Sequence, residues 1–311
     1  MEFKHIPVMR EECMEGLNLF PGGIWFDGTL GGGGHSYEIL KRTSPSGRLI
    51  ATDLDTEAIR AATERLKEFD GRFTVFHDNF KNFAEVLDEA GVPQLNGALL
   101  DLGVSSYQLD NGERGFAYMA PEARLDMRMD QTQRLSAYEV VNTYKEEDLK
   151  RILYEYGEER FTSRIVEKIL TERKKAPIET VGELVRIVES SIPAKFKTEG
   201  HVAKRTFQAI RIEVNGELDG LKECVLGLSR RLKKGGRIAI LTFHSLEDRI
   251  VKQAFKELEC DCICDKSLPV CVCNKRQEVN ILTNKPITAS EEEIIRNPRA
   301  KSAKLRIAER V

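Results

Sequence analysis

The run Asp27-Gly28-Thr29-Leu30-Gly31-Gly32-Gly33-Gly34-His35-Ser36 follows a short apolar stretch and precedes residues with helical spacing. Glycines let a chain turn tightly from strand into helix and let a ligand approach bare backbone. Asp53 closes the next apolar run, nineteen residues beyond Gly34. An acid at that distance accepts hydrogen bonds from ribose hydroxyls in nucleoside-binding folds. Strand, loop, helix, strand and acid in this register predict a nucleoside cofactor. The loop reads G-x-x-G-G-G-G-H rather than G-x-G-x-x-G, and Asp27 stands just before it. A carboxylate there suits a cationic or amine-bearing ligand better than a pyrophosphate. S-adenosylmethionine has a ribose, an adenine and an amine but no phosphate; a nicotinamide dinucleotide is the competing reading.

A second cluster is sulfur. Five of the seven cysteines, Cys260, Cys262, Cys264, Cys271 and Cys273, fall within fourteen residues. Alternate cysteines in an extended chain share one face, and four thiolates close a tetrahedral zinc site. The spacing is C-x-C rather than C-x-x-C, so a structural zinc and reduced thiols in a loop both stay open. A catalytic zinc deaminase is excluded, because no His-x-Glu motif accompanies the cysteines.

The elements that would position these residues follow from periodicity. Apolar runs at 23–27, 47–53, 72–77 and 97–101 alternate with helical patterns at 35–42, 56–69 and 80–90. Continuous rather than alternating apolar strands indicate a parallel sheet covered on both faces. From about residue 112 to 215 no convincing buried strand occurs, and helical patterns cover 136–142, 146–156, 159–173, 181–190 and 201–214. Ser136 with Glu139 has the form of a capping box. A helix at 218–232, a strand at 237–243 and a helix at 246–258 resume the first pattern. The expected architecture is therefore an α/β domain, residues 1–111 with 216–311, interrupted by an all-helical insert at 112–215. Residues 296–310 read as a basic, extended tail.

With 48 basic against 50 acidic residues the net charge is −2, which argues against holding nucleic acid by bulk charge. Apolar residues at 41% and charged residues at 32% exclude a disordered chain. No stretch approaches the roughly 20 apolar residues of a bilayer span. Glu2, Glu11, Glu12 and Glu15 break any signal-peptide core, so the expectation is a soluble, cytoplasmic protein.

Several motifs together carry a family resemblance. They are His5-Ile6-Pro7-Val8-Met9, the loop Gly28 to Ser36, Asp101-Leu102-Gly103-Val104-Ser105-Ser106 with Gln108-Leu109, and Arg114-Gly115-Phe116. Leu125 to Asp130, Tyr156 to Phe161, Arg205 to Arg211, Phe243 to Arg249 and Asn297 to Ser302 also fit, as does the Lys-Lys-Gly-Gly-Arg lead into the strand at Arg237. Over nearly its whole length the chain resembles the RsmH/MraW family of bacterial 16S ribosomal RNA (cytosine-N4) methyltransferases. The resemblance implies a class I, Rossmann-like S-adenosylmethionine-dependent methyltransferase acting on the N4 amine of a cytidine in the decoding region of 16S ribosomal RNA.

Carried over position by position, it implies cofactor contacts at Gly33, Gly34, His35, Asp53, Phe80, Asp101 and Gln108. Amine methyltransferases commonly follow an acid or amide after the fourth strand with two prolines and an aromatic. Here Asp101-Leu102-Gly103-Val104 keeps the acid and lacks the prolines, so Asp101 and a nearby backbone carbonyl both stand as acceptors for the N4 hydrogens. Phe116 and Tyr118 are candidates to stack on a flipped base or, equally, to anchor the insert. His244 and Ser245, after the resumed strand, are candidates for substrate contact or for local structure. Three basic clusters, at 160–175, 195–211 with Lys204 and Arg205, and 296–310, would provide phosphate contacts. Alternatives to this reading are a methyltransferase for another amine, in DNA or protein, and a ribosome assembly factor that binds RNA without chemistry.

Overall fold

The computed structural model describes residues 7–105, 108–109, 112–197, 201–264 and 272–311. The chain divides into two compact units: Met1–Gly103 with Leu218–Val311, and Val104–Glu217. The divisions fall at residues 103/104 and 217/218, slightly outside the 112–215 read from periodicity.

In the first unit, α1 (Arg10–Leu17) leads into β1 (Ile24–Asp27), α2 (Gly34–Arg42), β2 (Arg48–Asp53), α3 (Thr56–Arg65), β3 (Phe73–His77), α4 (Phe83–Glu89) and β4 (Leu95–Asp101). The helices of the second unit are α5 (Ala137–Thr143), α6 (Glu146–Glu155), α7 (Thr162–Arg173), α8 (Val181–Ser191) and α9 (Lys204–Asn215). The first unit then resumes with α10 (Leu221–Arg231), β5 (Leu232–Thr242), α11 (Ser245–Glu259), β6 (Val279–Ile281), β7 (Ile287–Thr288), α12 (Glu291–Arg296) and β8 (Lys304–Arg310).

The sheet has eight strands in the order β3-β2-β1-β4-β5-β8-β6, with β7 also on β8. β1 to β5 pair in parallel, and β8 runs antiparallel to β5, β6 and β7. Side chains alternate between two apolar layers, as the period of two requires. Trp25, Leu49, Ala51, Leu99, Ala239 and Leu241 enter one, and Phe26, Ile50, Ala98, Leu100, Ile238 and Ile240 the other. Each fully buried Leu, Ile or Phe stabilises by about 1.5–3 kcal/mol, so a central strand buried on both faces cannot slip register without large loss.

The tail is the clearest departure from expectation. Residues 304–310 form β8, with Leu305, Ile307 and Ala308 in the core. Arg306, only 5% exposed, donates to Asp248 at 2.6 Å, and Lys304 lies 3.3 Å from the same carboxylate. Burial works against the charge on Asp248, but the hydrogen bond and charge of Arg306 hold its carboxyl below the ordinary range. Much of this basic cluster is therefore consumed within the fold. The lysines and glycines at 233–236, read as a lead-in, belong to β5 itself.

The helical unit has its own core, in which Val140, Leu149, Ile152, Ile165, Ile169, Leu184 and Ile210 meet. Among its described residues the only β pairing is an isolated bridge, Arg124 with Thr180. The Ser136–Glu139 capping box is present, and Thr180 with Glu183 forms a second. Capping of this kind is typically worth about 1 kcal/mol per helix. Among the described residues no helix is long and apolar enough to cross a membrane.

Candidate cofactor site at the carboxyl end of the sheet

The strand order reverses direction between β1 and β4, and in open α/β sheets ligands bind at that switch point, outside the carboxyl ends of the strands. Asp27, Asp53, His77 and Asp101 are the last residues of β1 to β4. The loop after β1 is anchored to both neighbouring strands. Gly28 N donates to Leu99 O at 3.0 Å and Leu30 N to Thr52 O at 3.0 Å, while Thr52 Oγ1 donates to Gly28 O at 3.0 Å.

Asp27 does not face a ligand. It is fully buried, accepting from Ser36 Oγ at 2.6 Å and from Thr29 N at 3.1 Å. Burial raises its pKa, with the Ser36 hydrogen bond opposing. Its role is to tie the start of the loop to the first turn of α2, a correction to its reading as the partner of a cationic ligand. Thr29, unremarked in sequence, does similar work: its Oγ1 accepts from Asp101 N at 2.6 Å and so fixes the end of β4.

Asp53 closes the other side. Its Oδ2 accepts from Gly31 N at 2.7 Å and its Oδ1 from Asp55 N at 2.9 Å. Desolvation pushes its pKa up to about 6 against those two hydrogen bonds, with nearby carboxylates adding to the rise. Each oxygen still has lone pairs to offer a hydroxyl.

His35 and Asp101 face each other, with His35 Nε2 at 3.5 Å from Asp101 Oδ2. The imidazole is 6% exposed, and both of its nitrogens, together with Asp101 Oδ1, are buried without a hydrogen-bond partner. Buried polar atoms left unpaired cost roughly 1–3 kcal/mol each, so their concentration at one point marks a place for polar ligand groups. The amino-acid end of S-adenosylmethionine brings both ammonium donors and carboxylate acceptors, which fit an orphaned carboxylate oxygen and an imidazole.

The glycines fall into two kinds. Gly33 caps α2 with a left-handed φ of 73°, and a Cβ there would lie 3.0 Å from Ala62. A Cβ on Gly34 would strike Pro7. Both are demanded by packing or conformation, whatever their part in binding. Gly32 is different: its φ is not positive, and a Cβ would meet nothing within 4 Å. The fold leaves it free to be larger, and close approach of a ligand is the physical reason for it to be bare.

Phe80 opens a short 3-10 turn after β3, capped by Asn79. Its Cβ would lie 2.8 Å from a Cβ on Gly28, so Gly28 lets this half-buried aromatic come against the loop. Asp78 N donates to Asp53 O at 3.1 Å, tying the Phe80 segment to the end of β2. Gly33, Gly34, His35, Asp53, Phe80 and Asp101 are thus gathered within the first unit.

His244 and Ser245 follow β5. His244 is the N-cap of α11, its Nδ1 accepting from Glu247 N at 3.4 Å, and Ser245 is an exposed first-turn residue. Glu247, 1% exposed, accepts from Phe243 N at 2.8 Å and His244 N at 3.2 Å. This buried carboxylate shapes the end of β5. The capping pattern His-x-x-Glu was its only signal in sequence.

The remaining candidates lie in the helical unit. Gln108 is buried, its Oε1 accepting from Ser105 N at 3.0 Å. Phe116 is 6% exposed within the helical core and lies under the Arg114 guanidinium at 5.9 Å. Tyr118 stacks on His201 with ring centroids 4.3 Å apart. Lys204 and Arg205 are exposed at the start of α9, and Arg205 also donates to Glu158 O at 2.9 Å.

Of the cysteines, Cys262, Cys264 and Cys273 come together with their sulfurs all within 4.8 Å of one another. Cys260 stands apart from that trio, donating to Cys262 O at 2.7 Å. Cys271 lies outside the described residues.

At this loop a dinucleotide's pyrophosphate would meet the carboxylates of Asp53 and Asp101, whereas a sulfonium and an ammonium would be drawn to them. That electrostatic choice, on a parallel sheet with an antiparallel strand beside β5, places the chain among the class I, Rossmann-like methyltransferases that use S-adenosylmethionine. The description of the MraW methylase family matches residues 2–311, and the chain belongs to that family. It is 54% identical over 311 residues to the ribosomal RNA small subunit methyltransferase H of Clostridium botulinum (strain Kyoto / Type A2), covering 100% of both chains. The protein of the same name from Clostridioides difficile (strain 630) is 53% identical over 312 residues, again with 100% of both covered. A third of that name, from Lachnospira eligens, is 53% identical, with 100% of this chain and 99% of the relative covered.

Proposed function

We propose that this protein methylates the exocyclic N4 amine of a cytidine in the decoding region of 16S ribosomal RNA, within the small ribosomal subunit. The observation that carries the reading is the His35–Asp101 pair at the sheet's switch point, a buried imidazole facing a half-buried carboxylate, with both ring nitrogens and Asp101 Oδ1 unpaired among the described residues. The names of the full-length relatives support ribosomal RNA of the small subunit as substrate, and the motif resemblance supports the cytidine N4.

In this reading Asp53 accepts from ribose hydroxyls, Phe80 flanks the adenine, Gly32 admits the cofactor to the loop backbone, and His35 with Asp101 holds the amino-acid end. When bound, S-adenosylmethionine supplies a methyl group on a sulfonium, an electrophile whose leaving group is a neutral thioether. The N4 lone pair is delocalised into the cytosine ring, so the amine is a weak nucleophile. Asp101, whose Oδ1 has no partner among the described residues, accepts an N4 hydrogen and favours a more tetrahedral nitrogen. It also offers a route for the proton lost on methylation. The base must leave its stack to reach such a pocket. The helical unit carries RNA recognition, with exposed Lys204 and Arg205 contacting phosphate, while His244 and Ser245 of the first unit contact substrate.

The test is methyl transfer from labelled S-adenosylmethionine to unmethylated small ribosomal subunits, followed by nucleoside mass spectrometry. N4-methylcytidine is the expected product. Tight S-adenosylhomocysteine binding with no methylated nucleoside would move the acceptor to DNA or protein. Preference for NADH over S-adenosylhomocysteine would remove the cofactor assignment.

A further inference from the structure

Among the described residues, the connection between α11 and β6 has no apolar core of its own. No described residue from Cys260 to Gln277 belongs to any of the three apolar clusters, and Ile263 and Val272 are 68% and 71% exposed. The connection is closed at its neck, where Glu278 N donates to Leu258 O at 2.7 Å and Arg230 pairs with Glu278 at 2.9 Å. Beyond the neck, contacts among the described residues gather around three sulfurs.

Cys262 Sγ and Cys273 Sγ lie 3.9 Å apart, and Cys264 Sγ completes a trio whose atoms are all within 4.8 Å. Tetrahedral zinc with Zn–S bonds of about 2.3 Å holds its sulfurs about 3.8 Å apart, whereas a disulfide brings them to about 2.05 Å. The Cys262–Cys273 spacing is that of a tetrahedron's edge. Each sulfur also accepts a backbone N–H: Cys262 from Cys264 at 3.4 Å, Cys264 from Val272 at 3.3 Å and Cys273 from Ile263 at 3.4 Å. Three backbone N–H donors thus converge on three neighbouring sulfurs.

We infer that Cys262, Cys264 and Cys273 are ligands of a structural zinc ion that folds the α11–β6 connection. A fourth donor completes the tetrahedron, and sulfur selects zinc over oxygen-preferring ions such as magnesium. On binding, each ligating thiol gives its proton to solvent and forms one Zn–S bond; nothing is oxidised or reduced. The ion supplies the cross-link that apolar burial supplies elsewhere in the chain.

The full-length protein purified without chelator is analysed by elemental mass spectrometry, beside a C262S/C264S double variant. The expected content is about one zinc per chain, falling roughly tenfold or more in the variant. Cobalt(II)-exchanged protein should show sulfur-to-metal charge transfer and the intense visible bands of tetrahedral thiolate coordination. Because the variant could fail to fold, a second measurement uses the unmutated protein. A thiol reagent should react with the cluster's cysteines only after zinc is stripped, while buried Cys13 and Cys224 stay silent in both states. Zinc-free protein with reactive thiols, a disulfide in the cluster, or zinc retained by the double variant would each overturn the assignment. These readouts do not depend on methyl transfer, so the two proposals fail separately.

Discussion

His35 Nε2 faces Asp101 Oδ2 across 3.5 Å, yet neither ring nitrogen of His35 is hydrogen-bonded. One residue is fixed by the first turn of α2 and the other by the end of β4, which Thr29 Oγ1 holds through Asp101 N at 2.6 Å. Two polar groups are thus positioned by rigid elements, with three of their polar atoms unpaired among the described residues.

Asp101→Asn keeps the size of the side chain and removes its charge. Turnover on small subunits should fall about 100-fold or more, the range for loss of a positioned proton acceptor, while circular dichroism stays native. Near-native turnover by Asp101→Asn and by Asp101→Ala would remove Asp101 from the chemistry.

Gly32 and Gly33 should separate binding from folding. Gly32→Ala meets open space, so unfolding free energy should stay within about 0.5 kcal/mol while S-adenosylhomocysteine binds more weakly. Gly33→Ala places a Cβ at φ 73° and 3.0 Å from Ala62, and should cost about 1–2 kcal/mol. Calorimetry and denaturant titration on both variants check the contrast.

Asp53 makes the site pH-dependent. Its folded pKa of about 6 lies above the ordinary 3.8. Its contribution to stability is therefore full below 3.8 and is lost as pH rises through about 6. Cofactor affinity should run the other way, because ribose hydroxyls donate best to the ionised carboxylate. S-adenosylhomocysteine binding should strengthen from about pH 5 to about pH 7, and Asp53→Asn should flatten that rise. A profile unchanged by the substitution would assign the inflection to another group.

Lys204→Gln with Arg205→Gln should weaken RNA binding and reduce the slope of log K against log salt by up to about 0.9 per lost phosphate contact. Filter binding at several salt concentrations measures both. Unchanged affinity and slope would take this cluster out of the RNA surface.

Arg306→Ala leaves the Asp248 carboxylate with Lys304 at 3.3 Å as its remaining partner. Loss of so buried a guanidinium should cost roughly 3 kcal/mol in denaturant unfolding, with Arg306→Lys intermediate. A neutral result would return β8's charges to the account of RNA contact.

The sequence alone determined what depends on neighbours along the chain. Apolar runs ending in Asp27, Asp53 and Asp101, the glycine loop and the Ser136–Glu139 cap are local patterns, and each forms where its spacing placed it. The motifs also sufficed for the family. Tertiary structure decided what depends on residues far apart. Asp27 looked like a ligand's partner until folding put Ser36 and Thr29 against it. The tail looked like a basic arm because the carboxylate answering Arg306 sits 58 positions away on α11. Gly32 is distinguishable from its glycine neighbours only when the space around each is known. The cysteine spacing left metal and free thiols equally open; three sulfurs gathered within 4.8 Å of one another carry the argument further. Backbone periodicity is encoded within a few residues, whereas burial, charge pairing and ligand geometry exist only after distant segments have met.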